Sequence, residues 1–197
     1  MESVEGTENA IINLINTLAR SSFTRTEKGE VSVIATDTPG FQIQSATESD
    51  VPVVLGFIKK LAEYERLSSE VFATEELLRE TLFGERRTAE VAIGYLETRA
   101  VGFVLFFHNY STFLGKPGLY IEDLFVDEDY RRRGYGRALL LHVARLAKER
   151  GCGRLEWAVL DWNQPAIDFY KKLGALPMNE WTVFRVTGKS LDELAGQ

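Results

Sequence analysis

The sequence predicts an α/β domain in which helices flank a mixed central sheet. Three observations carry this. From Phe41 onward, strand-like and helix-like patterns alternate in the order β-α-α-β-β-β-α-β-α-β. Two neighbouring strand patterns are separated by only a two-residue turn, the profile of an antiparallel hairpin. The chain has 197 residues, 45% of them hydrophobic, enough for one globular domain with a sheet covered by helices.

The elements follow in order. Ile11, Leu14, Ile15 and Leu18 keep helical spacing, which predicts an amphipathic helix over Asn9–Ala19. Glu27-Lys28-Gly29-Glu30 is a turn before a strand at Val31–Ala35, and Thr36–Gly40 reads as a linker. Residues 1–40 carry no recognisable chemistry; a dimerisation arm, a native extension and a fused tag all fit them. Phe41–Ser45 is a strand. Asp50 then caps a helix with an apolar stripe of Val51, Val54, Leu55, Ile58, Leu61 and Ala62. Thr74–Phe83 is a second helix, ended by Gly84. Glu90–Glu97 and Val101–Phe107 form the hairpin around Thr98-Arg99. Tyr110–Gly118 reads as a loop, Leu119–Val126 as a strand, Gly134–Arg150 as a long helix and Leu155–Leu160 as a strand. Gln164–Leu173 is a helix stopped by Gly174, and Thr182–Val186 is a final strand.

Composition excludes several function classes. No apolar stretch approaches the roughly 20 residues that cross a bilayer, and Glu2, Glu5 and Glu8 stand where a secretory leader would carry positive charge. A soluble, cytoplasmic protein without membrane partners is expected. Cys152 is the only cysteine, so neither an intrachain disulfide nor a thiolate cluster is available; within Gly151-Cys152-Gly153 it reads as a small apolar filler. His108 and His142 are the only histidines and lack metal-ligand spacing, so no metal is expected. The net charge of −6 argues against a nucleic-acid binder. Against that acidic background, Arg131-Arg132-Arg133, joined by Arg137, points to a specific anionic ligand.

The richest stretch is Leu119–Arg137, LYIEDLFVDEDYRRRGYGR. An apolar strand ends at Val126, an acidic turn follows, and Arg131-x-x-Gly134-x-Gly136 opens the long helix. A helix N-terminus offers unpaired N–H groups and a partial positive charge, which suit a phosphate. Glycines there let backbone approach a pyrophosphate. A dinucleotide fingerprint would need three glycines after the first strand of a parallel unit, and a P-loop would need Gly-Lys-Ser/Thr; neither is present. A different pyrophosphate is therefore expected, and coenzyme A fits.

These residues resemble the GCN5-related N-acetyltransferase (GNAT) family, whose phosphate loop reads Arg/Gln-x-x-Gly-x-Gly/Ala. Tyr120-Ile121-Glu122-Asp123-Leu124-Phe125-Val126 and Trp162-Asn163-Gln164-Pro165-Ala166-Ile167-Asp168-Phe169-Tyr170 are similar to its spermidine/spermine (diamine) and thialysine branch, as are Tyr64-Glu65 and Gly102–Phe107. The match runs from about Phe41 to Val186, which makes 41–190 the GNAT acetyltransferase domain. It implies a mixed, mostly antiparallel sheet, acetyl-CoA as cosubstrate and a homodimer. By resemblance, the backbone of Leu124, Phe125 and Val126 pairs with the pantetheine arm. Arg131, Arg132, Arg133, Gly134, Tyr135, Gly136 and Arg137 form the pyrophosphate loop. Asn163, Pro165 and Ala166 border the coenzyme. Tyr170 matches the general acid, and Glu122 the carboxylate that helps deprotonate the amine. Tyr64, Glu65, Glu122, Asp123 and Glu180 match positions that line the amine pocket.

The chemistry needs such groups. An alkyl ammonium has a pKa near ~10.4, so the attacking neutral amine is scarce at neutral pH and requires a base. A positioned phenol protonates the departing thiolate. No covalent intermediate is required, and no histidine lies near Cys152 in sequence to activate it. The expected activity is acetyl transfer from acetyl-CoA to a primary amine of a small polyamine, diamine or basic amino acid. The alternatives are a protein lysine or N-terminal acetyltransferase and a non-catalytic coenzyme A sensor.

Overall fold

The computed structural model describes residues 33–196. The helix expected at Asn9–Ala19 and the first two residues of the strand expected at Val31–Ala35 lie outside them. The described residues form two compact units, 33–158 and 159–196.

The first unit is a six-stranded sheet with helices on both faces. Its strands lie side by side in chain order: β1 (Val33–Ala35), β2 (Phe41–Ser45), β3 (Glu90–Leu96), β4 (Arg99–Ser111), β5 (Lys116–Val126) and β6 (Leu155–Trp157). The first four neighbouring pairs are antiparallel, and β5 and β6 are parallel. The sheet is thus mixed and mostly antiparallel. Thr36–Gly40, which reads as a linker, is the bend between the paired strands β1 and β2, and Gly40 takes a left-handed φ of 72° there. The tight turn after β3 falls on Glu97-Thr98, one residue earlier than expected, with Glu97 left-handed. The expected loop at Tyr110–Gly118 is largely strand, because cross-strand pairing continues out to Ser111 opposite Lys116.

Helices α1 (Val51–Glu65) and α2 (Glu75–Phe83) connect β2 to β3. Val51, Val54, Leu55 and Phe57 of α1 and Leu78 and Leu82 of α2 pack on Val91, Ile93, Phe103, Leu105 and Phe125. Each large side chain buried there contributes about 1.5–3 kcal/mol. Phe57 stacks on Phe103 at 5.5 Å and tilts against Phe125 at 6.0 Å, which fixes the middle of α1 over β4 and β5. Asp50 occupies the position before α1, but its carboxylate accepts hydrogen bonds from the Thr47 amide and hydroxyl, both at 2.7 Å. It caps the preceding turn instead. Arg66, left-handed at φ 63°, ends α1.

Helix α3 (Tyr135–Glu149) joins β5 to β6 and covers the other face, where Tyr135 stacks on Phe41 at 4.3 Å. Its own Leu139 and Val143 are fully buried.

The second unit contains α4 (Gln164–Lys172) and α5 (Gly188–Ala195). Asn163 caps α4 by accepting the Ala166 amide at 3.3 Å, Pro165 lies in its first turn, and Lys171 and Lys172 complement its C-terminal dipole. The expected strand at Thr182–Val186 is not formed: these residues have no sheet partner among the described residues, and Val183 and Phe184 are exposed. Apolar alternation marks a segment able to pair, but a strand exists only with a neighbour to bond.

Candidate active site

β4 and β5 fall out of step at the middle of the sheet. Phe106 pairs with Ile121 and Leu105 with Asp123, so Glu122 is inserted as a bulge. Before the bulge, Ile121 shares the face of Phe106; after it, Asp123 and Phe125 share the face of Leu105 and Phe103, which α1 covers. An unbroken strand would send Asp123 to the α3 side with Ile121. The extra residue therefore turns Asp123 toward α1.

The electrostatics agree with that placement. Asp123 is half-buried, and its carboxyl is pushed up to about 6, first by burial, then by the negative charges of Glu122 and Glu65. Burial also raises Glu65, at the last turn of α1. No cation figures among the causes acting on Asp123. Three acids from two elements thus act on one another, and the charges that act on Asp123 among the described residues are negative. Glu122 itself is exposed.

The bulge also marks where β5 loses one neighbour. β6 pairs only with Leu119–Ile121, whereas β4 stays paired through Val126 opposite Gly102. Leu124, Phe125 and Val126 are therefore bonded along one edge and have no strand on the other among the described residues. The Phe125 side chain belongs to the core, so its contribution to any ligand comes from the main chain.

After β5, the chain makes a 3-10 turn at Glu128–Tyr130 and enters α3 through Gly134. Gly134 has φ 87°, a conformation costly for any side chain, and provides no side-chain cap to the helix. Gly136 has a different reason to be glycine. Its φ is ordinary, and a Cβ there would meet nothing nearer than Val126 Cγ2 at 3.7 Å. Neither backbone nor packing requires glycine at 136, so its small size leaves room in front of the helix N-terminus. Tyr135 is buried against Phe41 and presents only its main chain there.

The four arginines separate into different roles. Arg132 is exposed and left-handed at φ 62°, and Arg137 lies half-buried in the first turn of α3. Arg133 is exposed and reaches back to the Asp129 carbonyl at 3.1 Å. Arg131 folds under the loop: its Nε donates to the Val126 carbonyl at 3.0 Å, and its guanidinium lies 4.2 Å over the Tyr64 ring. Sequence grouping by charge misses this division, and it also misses Lys60, whose ammonium pairs with Asp127 at 2.5 Å.

Tyr170, Asn163, Pro165, Ala166 and Glu180 belong to the 159–196 unit. Tyr170 lies in the last turns of α4, where its carbonyl accepts the Leu173 and Ala175 amides at 3.0 and 3.1 Å. The Asn163 side chain is engaged as the cap of α4, and Glu180 is exposed in a turn.

Comparison with known proteins names the family. Residues 58–175 match the model of the acetyltransferase (GNAT) family. The chain is 40% identical to thialysine N-epsilon-acetyltransferase of Bos taurus, over 79% of this chain and 97% of that protein. It is 37% identical to L-ornithine N5-acetyltransferase NATA1 of Arabidopsis thaliana, over 78% and 87%. Among solved structures, an integron cassette protein from the mobile metagenome of V. cholerae superposes with TM-score 0.68 at 26% identity, covering 80% of this chain and 99% of that one. The family match over more than half of the chain and these relatives lead to one conclusion: the chain belongs to the acetyltransferase (GNAT) family and is an acetyltransferase acting on amines.

Proposed function

We propose that this enzyme acetylates a primary amine of a small molecule that carries a second basic or polar group, with acetyl-CoA as donor and both substrates bound together. The observation that carries the reading is the acid trio Glu65, Glu122 and Asp123: burial first, and then the negative charges of Glu122 and Glu65, raise Asp123 to about 6. A cationic substrate supplies a counter-charge. Thialysine and ornithine, named for the relatives above, are compact amino acids with a side-chain amine.

The residues present fit acetyl-CoA. The open edge of Leu124–Val126 suits the amide groups of a pantetheine arm, which bond like an added strand. The first amides of α3, behind the space left at Gly136, suit a pyrophosphate, with Arg132, Arg133 and Arg137 beside them. When bound, acetyl-CoA supplies the activated acetyl thioester.

The chain's own groups manage the protons. Asp123, titrating near neutrality, accepts the ammonium proton directly or through water, and Glu122 holds the charge beside it. The amine nitrogen then bonds to the acetyl carbon as the carbon–sulfur bond breaks, and the second proton that the nitrogen sheds passes through water, which restores the Tyr170 hydroxyl after it acts. The Tyr170 hydroxyl donates its proton to the departing sulfur, a role supported by the family's match at Ala166–Tyr170. No residue of the chain is acylated.

A turnover screen with acetyl-CoA and thialysine, lysine, ornithine, diaminobutyrate, putrescine and spermidine tests the reading. Diamines and basic amino acids should exceed a neutral monoamine in kcat/KM. Turnover confined to lysine-containing or N-terminal peptides, or none with any amine, would overturn it.

A further inference from the structure

We propose that Arg131 is a positioning residue for the amine, clamping the Tyr64–Glu65 end of α1 to the turn after β5, and not a ligand of the coenzyme's phosphates. This rests on the amine-acetylation reading above. The sequence groups Arg131 with Arg132, Arg133 and Arg137, but its side chain is committed elsewhere. Nε donates to Val126 at 3.0 Å, Nη1 lies 3.4 Å from Glu128, and the guanidinium plane covers Tyr64 at 4.2 Å and Phe125 at 5.6 Å. Both its edge and its face are therefore occupied by protein.

The contact is one of two rungs. Lys60 and Tyr64 are four residues apart on α1, hence on one face of the helix. Asp127 and Arg131 flank the 3-10 turn. Lys60 bonds Asp127 and Tyr64 meets Arg131, so two successive helical turns are tied to the two ends of one short loop. The Lys60 rung is half exposed, which makes it weak in water. The Arg131 rung is better shielded, and its positive charge lies by the C-terminal end of α1, where the helix carbonyls favour a cation.

The clamp bears on the amine because Glu65 follows Tyr64 directly and is one of the charges that raise Asp123. Fixing Tyr64 fixes how Glu65 meets Asp123, and so the shape and charge of the acid trio. The start of α3 has its own anchors, the buried Tyr135–Phe41 stack and the Asp127 amide donating to Val101 at 2.9 Å. Losing the Arg131 side chain should therefore loosen the amine end and leave the phosphate end in place.

The test compares Arg131→Gln, Arg131→Lys, Tyr64→Leu and the Arg131→Gln/Tyr64→Leu double variant with the wild-type chain. Amine KM is measured with the best amine of the screen, acetyl-CoA Kd by calorimetry, and backbone amide exchange along α1 by mass spectrometry. Arg131→Gln and Tyr64→Leu should each raise amine KM about threefold to thirtyfold, the range of a shielded cation–π contact. The double variant should be little worse than either single one, and acetyl-CoA Kd should stay within about twofold. Arg131→Lys, which keeps the charge, should recover part of the loss and serves if Arg131→Gln fails to fold. Exchange at the C-terminal turn of α1 should quicken in Arg131→Gln. A loss of acetyl-CoA affinity as large as the loss for the amine, additive single effects, or unchanged exchange would overturn the clamp. Wild-type protein inactive on every amine would instead reject the proposed function, while the exchange result still decides the clamp.

Discussion

Leu105 on β4 faces Asp123 on β5, while the next pair is Phe106 with Ile121, so Glu122 between them has no cross-strand partner. That single insertion turns Asp123 to the face that α1 covers, where burial and its acidic neighbours act on it. Its folded-state pKa is about 6, against roughly 3.9 unfolded.

A stability prediction follows by linkage. Between about pH 4 and 6 the folded state holds the Asp123 proton more tightly than the unfolded state, so stability falls as pH rises through this window. Above it the full penalty of a buried, crowded carboxylate is present. Asp123→Asn should therefore unfold at higher denaturant than the wild type at pH 7–8, by about 1–3 kcal/mol, and match it below about pH 4. Equal stability at both pH values would show that Asp123 is not strained.

The same group should shape the pH profile. If Asp123 must be ionised to receive the ammonium proton, kcat/KM rises as pH passes about 6 and climbs further as free amine becomes available. Asp123→Asn should lower kcat/KM by roughly a hundredfold or more and remove the limb near 6. Initial rates between pH 5 and 9, at saturating acetyl-CoA, provide the check.

The two loop glycines should respond differently. Gly134→Ala forces a side chain into φ 87° and should cost about 1–2 kcal/mol in denaturant unfolding. Gly136→Val has no positive φ to pay for and should fold within about 1 kcal/mol of the wild type. It should nonetheless weaken acetyl-CoA by tenfold or more in calorimetry, because the side chain enters the space before the helix N-terminus.

Tyr170→Phe isolates the proton donor. Turnover should fall by roughly a hundredfold to ten-thousandfold while acetyl-CoA affinity changes little, since the hydroxyl acts on the leaving sulfur. Single-turnover rates separate this from slow product release; an unchanged chemical step would assign the proton to water.

Much of this organisation is legible before any coordinates. The stripe Val51, Val54, Leu55 identifies the buried face of α1, and Gly134-Tyr135-Gly136 the opening of α3, because periodicity and glycine placement are local properties. The bulge at Glu122 is not local: it exists only in the pairing of β4 with β5, so Glu122 stands out in sequence while the strain on Asp123 does not. Arg131 misleads for a similar reason. Arg131, Arg132 and Arg133 look alike in a row, and only the position of Tyr64 on a distant helix singles one out. Thr182–Val186 has the composition of a strand, but composition does not supply a neighbour.

The half-open edge of β5, proposed above to take the pantetheine arm, has a cost in solubility. Among the described residues, the strand beyond Ile121 keeps a partner on one side only, and a free strand edge is a template for pairing with any extended chain. On the proposed reading, the pantetheine arm covers that edge in the loaded enzyme, so the cosubstrate acts as a reversible shield against self-association. Cofactor-free protein should then scatter light at lower temperature than loaded protein. The Leu124–Val126 amides should be among those whose exchange slows most on loading, which ties the enzyme's shelf life to its supply of acetyl donor.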